Sequence, residues 1–174
     1  LDKIIKNRKS CRKFSMRKPD WRDIVDSIDS MRFAPRAGKN PNIRVILVKD
    51  DDKIEKIGQA CQQDFVFQAH YIVLVCSSDL KLSNLFGKDS EKYARQQSGA
   101  AIQNFLLSLE DKGLATCWIG YFAERQIKEL LSIPDNVKIE AIFPIGYQTG
   151  KQRPSQKPSL DSFLYFDKYG NKKM

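Results

Sequence analysis

Apolar positions along the chain follow two periods, one helical and one strand-like. Leu1, Ile4 and Ile5 share a helical face with Asp2 near the start, which predicts a short amphipathic helix over residues 1–8. After Pro19, the stripe Trp21, Ile24, Val25, Ile28 and Met31 predicts a second helix with Asp20 as its N-cap. Turn and breaker residues follow, Ala34-Pro35-Arg36-Ala37-Gly38-Lys39-Asn40-Pro41-Asn42. Ile43 to Val48 reads as a strand, Lys53 to Cys61 as a helix with Ile54 and Ile57 inward, and Tyr71 to Cys76 as a buried strand. Residues 79–97 are polar and poorly periodic, so a loop with some helix is expected there. Ser98 to Lys112 is the clearest helix, with Ile102, Phe105, Leu106 and Leu109 on one face and Gly113 as its stop. Ala115 to Ile119 predicts a strand, Glu124 to Leu131 a helix ended by Pro134, and Ile139 to Ile145 a last core strand. Helices alternating with four strands make an α+β, or layered α/β, domain.

No repeat or Gly/Ser-rich linker divides the 174 residues, so one domain is expected over 1–174, with 151–174 as an extended tail. The tail is polar except for Phe163-Leu164-Tyr165-Phe166, a tetrad that needs a surface to lie on, such as another subunit. No apolar run approaches the roughly 20 residues that span a bilayer. The N-terminus lacks a continuous apolar stretch, so neither a membrane protein nor a secreted precursor is expected and the location reads as cytoplasmic. Cys11, Cys61, Cys76 and Cys117 form no C-x-x-C pair and read as reduced structural thiols. The net charge of +9 is concentrated at the ends: residues 1–18 sum to +7, residues 151–174 to +4, and the stretch between them to −2. Two basic ends could converge on one anion or simply solubilise two tails.

The side chains supply no complete catalytic apparatus. No G-x-G occurs, so there is no Rossmann fingerprint, and no Walker A loop is present. His70, the only histidine, precedes a buried strand and reads as structural. Asp50-Asp51-Asp52 sits at a helix start, where carboxylates favour the macrodipole. If the chain is an enzyme, a bound cofactor does the chemistry. Arg8-Lys9-Ser10-Cys11-Arg12-Lys13-Phe14 is the informative cluster. In an extended segment Arg8, Ser10 and Arg12 point one way while Lys9 and Cys11 point the other. Two guanidiniums flanking a hydroxyl suit a phosphate, although the same residues could be a solvated basic segment.

This R-x-S-x-R-x-F segment resembles the opening of the FMN-dependent nitroreductase family. Three further stretches resemble that family in its order: Ala34-Pro35-Arg36-Ala37-Gly38, Gly99 to Trp118, and Leu131-Ser132-Ile133-Pro134 through Ile145-Gly146-Tyr147. The resemblance covers roughly residues 4–160. It implies a central mixed sheet of four to five strands flanked by helices, and a homodimer to whose partner the C-terminal tail adds a strand. Arg8, Ser10 and Arg12, with Lys9 beside them, would hold the FMN phosphate and ribityl chain. A basic residue from Lys151, Arg153 or Lys157 would help, Lys157 being best placed. Pro35, Arg36 and Ala37 would reach the flavin bound mainly by the other subunit, together with Lys39 and Asn40. Ile119, Gly120 and Tyr121 would line the isoalloxazine, with a backbone N–H near N5. The chain departs from the family where Arg36 replaces a small Ser, and where Lys39 stands in the usual place of Asn, with Asn40 one position late.

Three functions are weighed. One is a homodimeric FMN oxidoreductase that uses NADH or NADPH to reduce a small-molecule acceptor such as a nitro compound or quinone. Another is a flavin-binding protein with a storage, sensing or specialised reductive role. The third, a basic nucleic-acid-binding module, would need aromatics among its basic residues, yet residues 1–18 contain only Phe14. No nucleic-acid or membrane partner is therefore expected.

Overall fold

The computed structural model describes residues 1–39, 42–150 and 156–174. Its helices are α1 (Asp2–Asn7), α2 (Trp21–Asp29), α3 (Asp51–Cys61), α4 (Leu80–Phe86), α5 (Ser90–Asp111) and α6 (Glu124–Leu131). Strands β1 (Ile43–Val48), β2 (Tyr71–Ser77), β3 (Ala115–Thr116) and β4 (Lys138–Gly146) form one sheet in the order β1-β2-β4-β3. Every pairing of these strands is antiparallel, which corrects the expectation of a mixed sheet. A helix between two strands suggests a parallel crossover. Here residues 62–70 follow α3 and return the chain to the end of the sheet where β1 finished, so Val48 lies opposite Ile72. Parallel pairing among the described residues is confined to an isolated bridge between Ser10 and Thr116.

β2 is buried along its whole length because it lies between two strands and carries a core on each face. Ile72, Leu74 and Cys76 pack with Ile57 of α3 and Ile127 of α6. Tyr71, Val73 and Val75 pack with Ile24 of α2 and Ile102 and Phe105 of α5. Full burial of such a side chain stabilises by about 1.5–3 kcal/mol, so these two cores hold the sheet between its helix layers.

Local signals place the helix ends. The Asp20 and Asp50 carboxylates accept from the N–H groups of Arg22 (2.9 Å) and Lys53 (3.0 Å), capping α2 and α3. Gly113 follows α5 at φ +69°, a left-handed conformation that glycine adopts without strain. Three expectations are revised. The polar stretch 79–97 is mostly helix, forming α4 and the first turns of α5, because the inward stripe Ser90, Ala94, Gln97, Ser98 and Ala101 is small or polar. β3 stops at Thr116, and Ile119 rejoins β4 only through a bridge to Ile142. Residues 156–174 contain one 3-10 turn, Leu160–Ser162, and no strand, with Leu160 and Phe163 exposed.

Candidate functional site

The segment after α1 is stitched to the sheet by its backbone. Cys11 N–H donates to the Thr116 carbonyl (2.8 Å), Ser15 N–H to the Tyr147 carbonyl (2.8 Å) and Thr149 N–H to the Lys13 carbonyl (3.1 Å). Phe14 N–H donates to Gln68 Oε1 at 3.0 Å. Gly146 makes this close approach possible, since a Cβ there would lie 2.8 Å from Phe14 Cδ1. Cys11 and Phe14 consequently point into the core, Ser10 and Arg12 are exposed, and Arg8 is half-buried. The Ser10 hydroxyl and Arg12 guanidinium lie beside the Cys117 thiol; burial pushes that thiol up, and Arg12 and Ser10 pull it part of the way back. Among the described residues neither Arg8 nor Arg12 forms an ion pair. The Ser10 hydroxyl beside the Arg12 guanidinium on a fixed backbone, with no ion pair to Arg12 among the described residues, fits a phosphate group.

Beside this segment the chain leaves β3 as Cys117-Trp118-Ile119-Gly120-Tyr121. Ile119 is buried, and its N–H and carbonyl both bond to Ile142 at 3.0 Å. Its side chain therefore packs in the core, and its backbone ties the next two residues to β4. Gly120 and Tyr121 are exposed, and a Cβ on Gly120 would meet only Trp118 Nε1, at 4.0 Å. The open space over Gly120 leaves room for a planar group. Trp118 closes one side, its ring edge-on to Phe143 with centroids 5.6 Å apart.

The loop after α2 is held differently. Ala34 is buried, Pro35 and Arg36 are exposed, and Ala37 N–H donates to Gln97 Oε1 at 3.1 Å. Gly38 and Lys39 both have φ +58°, a conformation that suits glycine and strains lysine. Gln97 lies on α5 about 20 Å, at 1.5 Å per residue, from the helix end that leads into β3. Within one chain the loop and the Arg8–Arg12 segment therefore stand at opposite ends of α5.

Other predicted residues are dispersed. Lys9 lines a groove with Asn7, Glu110, Gly113 and Gln148, a groove that contains none of Arg8, Ser10 and Arg12. Lys157 is exposed, and Asn40, Lys151 and Arg153 lie outside the described residues. His70 Nε2 lies 3.1 Å from the Met16 carbonyl. All four cysteines are buried, and burial raises Cys61 to about 12 and Cys76 to about 11. The sequence reading missed Gln97, whose signal is a polar residue on a helical stripe of small residues. Among the described residues no group of His, Cys, Asp and Glu could hold a metal, and no helix is long and apolar enough to cross a membrane.

The model of the Nitroreductase family matches residues 5–66 and 58–147. Iodotyrosine deiodinase from Thermotoga neapolitana is 25% identical over 171 residues, covering 83% of this chain and 86% of the relative. A nitroreductase family protein from Clostridium novyi NT superposes with a TM-score of 0.77 at 28% identity, covering 98% of this chain and 94% of the other. The NADPH:FMN oxidoreductase of Vibrio harveyi, solved with NAD+, superposes with a TM-score of 0.82 at 22% identity, covering 97% and 77%.

Proposed function

The chain belongs to the nitroreductase family, and we propose that it is a homodimeric, FMN-dependent oxidoreductase driven by NADH or NADPH. The observation that supports this reading is the segment carrying Arg8, Ser10 and Arg12, anchored to β3 and to residues 147–149, with neither arginine in an ion pair among the described residues. The Vibrio harveyi relative is named for NADPH and FMN. Arg8 and Arg12 would donate charge-assisted hydrogen bonds to the FMN phosphate, and the Ser10 hydroxyl would donate a third. Thr149 holds Lys13, so the chain leading to the basic tail starts beside that phosphate. Lys157, or Lys151 or Arg153, supplies the further cation.

When bound, FMN would supply the redox chemistry, a two-electron exchange between the reduced nicotinamide and a nitro compound, a quinone or a similar acceptor. Gly120 and Tyr121 would face the ring system, with a backbone N–H of this turn directed at N5. Trp118 would exclude water from one edge. Pro35, Arg36 and Ala37 would come from the partner subunit, which the separation along α5 favours, with Lys39 and Asn40 on the same loop. Arg36 and Lys39 would make that edge cationic, suiting an anionic reduced ring or an acidic substrate. Gly99 and Ala100 leave part of α5 open for close helix pairing, and the tail would lie against the second subunit. With no G-x-G in the sequence, one open flavin face would serve both substrates in turn.

The purified protein should be yellow, sediment as a dimer and hold about one FMN per chain. Double-reciprocal plots with NADH or NADPH against a quinone should be parallel. A colourless protein that does not take up added FMN refutes the reading, and intersecting lines refute the shared face. The Thermotoga neapolitana relative is named for deiodination, so iodotyrosine belongs among the acceptors assayed.

A further inference from the structure

The loop at 34–37, α2, β1 and α5 enclose a cavity of about 200 Å³ walled by Ile28, Met31, Ile43, Val45 and Ala101. Gln97 lines it and is only 5% exposed. Its Oε1 accepts from Ala37 N–H at 3.1 Å, which sets the direction of the amide, because the reverse orientation would oppose two N–H donors. Nε2 is thereby left as a donor, buried and with no hydrogen-bond partner among the described residues. The neighbouring buried amide, Asn42, is already spent on the Ala94 carbonyl at 3.1 Å. The space far exceeds the ~30 Å³ share of one water molecule.

The rim supplies charge. Arg32 and Arg36 both line the cavity. Arg32 is paired with Asp29 at 3.1 Å, whereas Arg36 forms no ion pair among the described residues. Apolar walls, one fixed buried donor and one uncompensated cation select an amphiphilic anion.

We propose that this cavity is a binding site for a small monocarboxylate with an apolar body. The body lies against Ile28, Met31, Ile43 and Val45, one carboxylate oxygen accepts from Gln97 Nε2, and Arg36 balances the charge. The bound acid would sit under the loop that Gln97 holds, so its occupancy and the position of Ala37 are linked.

The test is titration of the purified full-length protein with benzoate, followed on the Gln97 side-chain NH2 by NMR. Benzoate should shift that resonance saturably, and the neutral probe benzyl alcohol should bind at least tenfold more weakly. Gln97→Glu keeps an acceptor for Ala37 N–H but faces the cavity with an anion, and should weaken benzoate at least tenfold. Should that variant not fold, Arg36→Gln on the exposed loop is expected to weaken benzoate several-fold. No saturable shift, equal affinity for benzyl alcohol, or an undiminished affinity in both variants overturns the proposal. The signal comes from Gln97 and not from flavin colour, so this result is independent of whether FMN binds.

Discussion

The segment around residues 10–15 and the loop at 34–39 are both proposed to face a flavin, yet they are held by different means. The first is sewn to β3 and to residues 147–149 by backbone hydrogen bonds, with Phe14 seated against Gly146. In the second, Ala37 N–H is held by a side-chain acceptor, Gln97 Oε1, and the chain passes through two left-handed residues. Backbone pairing sets register and side-chain direction together, so the Ser10 and Arg12 side chains are directed before any ligand arrives. A loop held through a side-chain acceptor can adjust to a ligand or a second subunit. The rigid element suits the invariant phosphate end of a cofactor, and the adjustable one suits the end where substrates vary.

Gly146→Val should break the rigid region most severely. A Cβ 2.8 Å from Phe14 Cδ1 forces either the ring or the strand away. The expected cost is about 1–3 kcal/mol of overpacking in a denaturant melt, with most bound flavin lost. An unchanged midpoint with full flavin content would show that the stitching does not position the donors. Arg12→Ala acts within the same element without moving it. Loss of one charge-assisted hydrogen bond, about 1.5–3 kcal/mol, predicts FMN binding weaker by roughly 10–150-fold in fluorescence titration. Lys13→Ala should stay within about threefold by the same scale, and equal losses would mean diffuse charge instead of a shaped site.

Gln97→Met tests the flexible region. Removing the acceptor of Ala37 N–H should speed hydrogen exchange at Ala37 by about two- to twelvefold, for a bond worth roughly 0.5–1.5 kcal/mol, and leave Cys11 and Ser15 unchanged. Parallel acceleration at Cys11 would show that the two regions are coupled. Glu124 provides an ionisable version of this side-chain pin, accepting from Ile139 N–H at 3.1 Å. Burial pushes its carboxyl up, but the Ile139 N–H and Lys128 outweigh that and hold it below the usual range. A lowered carboxyl stabilises the fold above its unfolded-state value, and the contribution is lost as pH falls through the folded one. The stability advantage over Glu124→Gln should therefore be present at neutral pH and disappear on acidification below about pH 4 in denaturant melts. A pH-independent difference would remove the charge from this account. His70→Ala should have the smallest effect, because its bond to Met16 lies just beyond the stitched segment. Turnover should change by less than tenfold, about 1.4 kcal/mol, in a steady-state assay.

Strongly patterned elements were legible from the sequence for a physical reason: the helices each have one apolar face and an end signal, and the strands are short, largely apolar runs. α2 and α3 begin at Asp20 and Asp50, α6 spans the expected residues, and β1, β2 and β4 fall within one or two residues of their predicted bounds. Exposed Ser10 and Arg12 on either side of buried Cys11 were equally visible, because side-chain direction in an extended segment is local. The first turns of α5 were not, since Ser90, Ala94, Gln97 and Ser98 are buried by packing and not by hydrophobicity.

Sequence by itself determined which residues could be helix, strand and phosphate donor, since periodicity, capping and side-chain chemistry are properties of near neighbours along the chain. Tertiary structure alone decided the antiparallel sense of the sheet, which depends on where residues 62–70 return the chain. It alone turned Ile119 into the core and moved Lys9 to another groove. It also left the amide of Gln97 half satisfied beside an apolar cavity. These outcomes arise from contacts between residues far apart in sequence, whose geometry is set only when the helix layers close on the sheet.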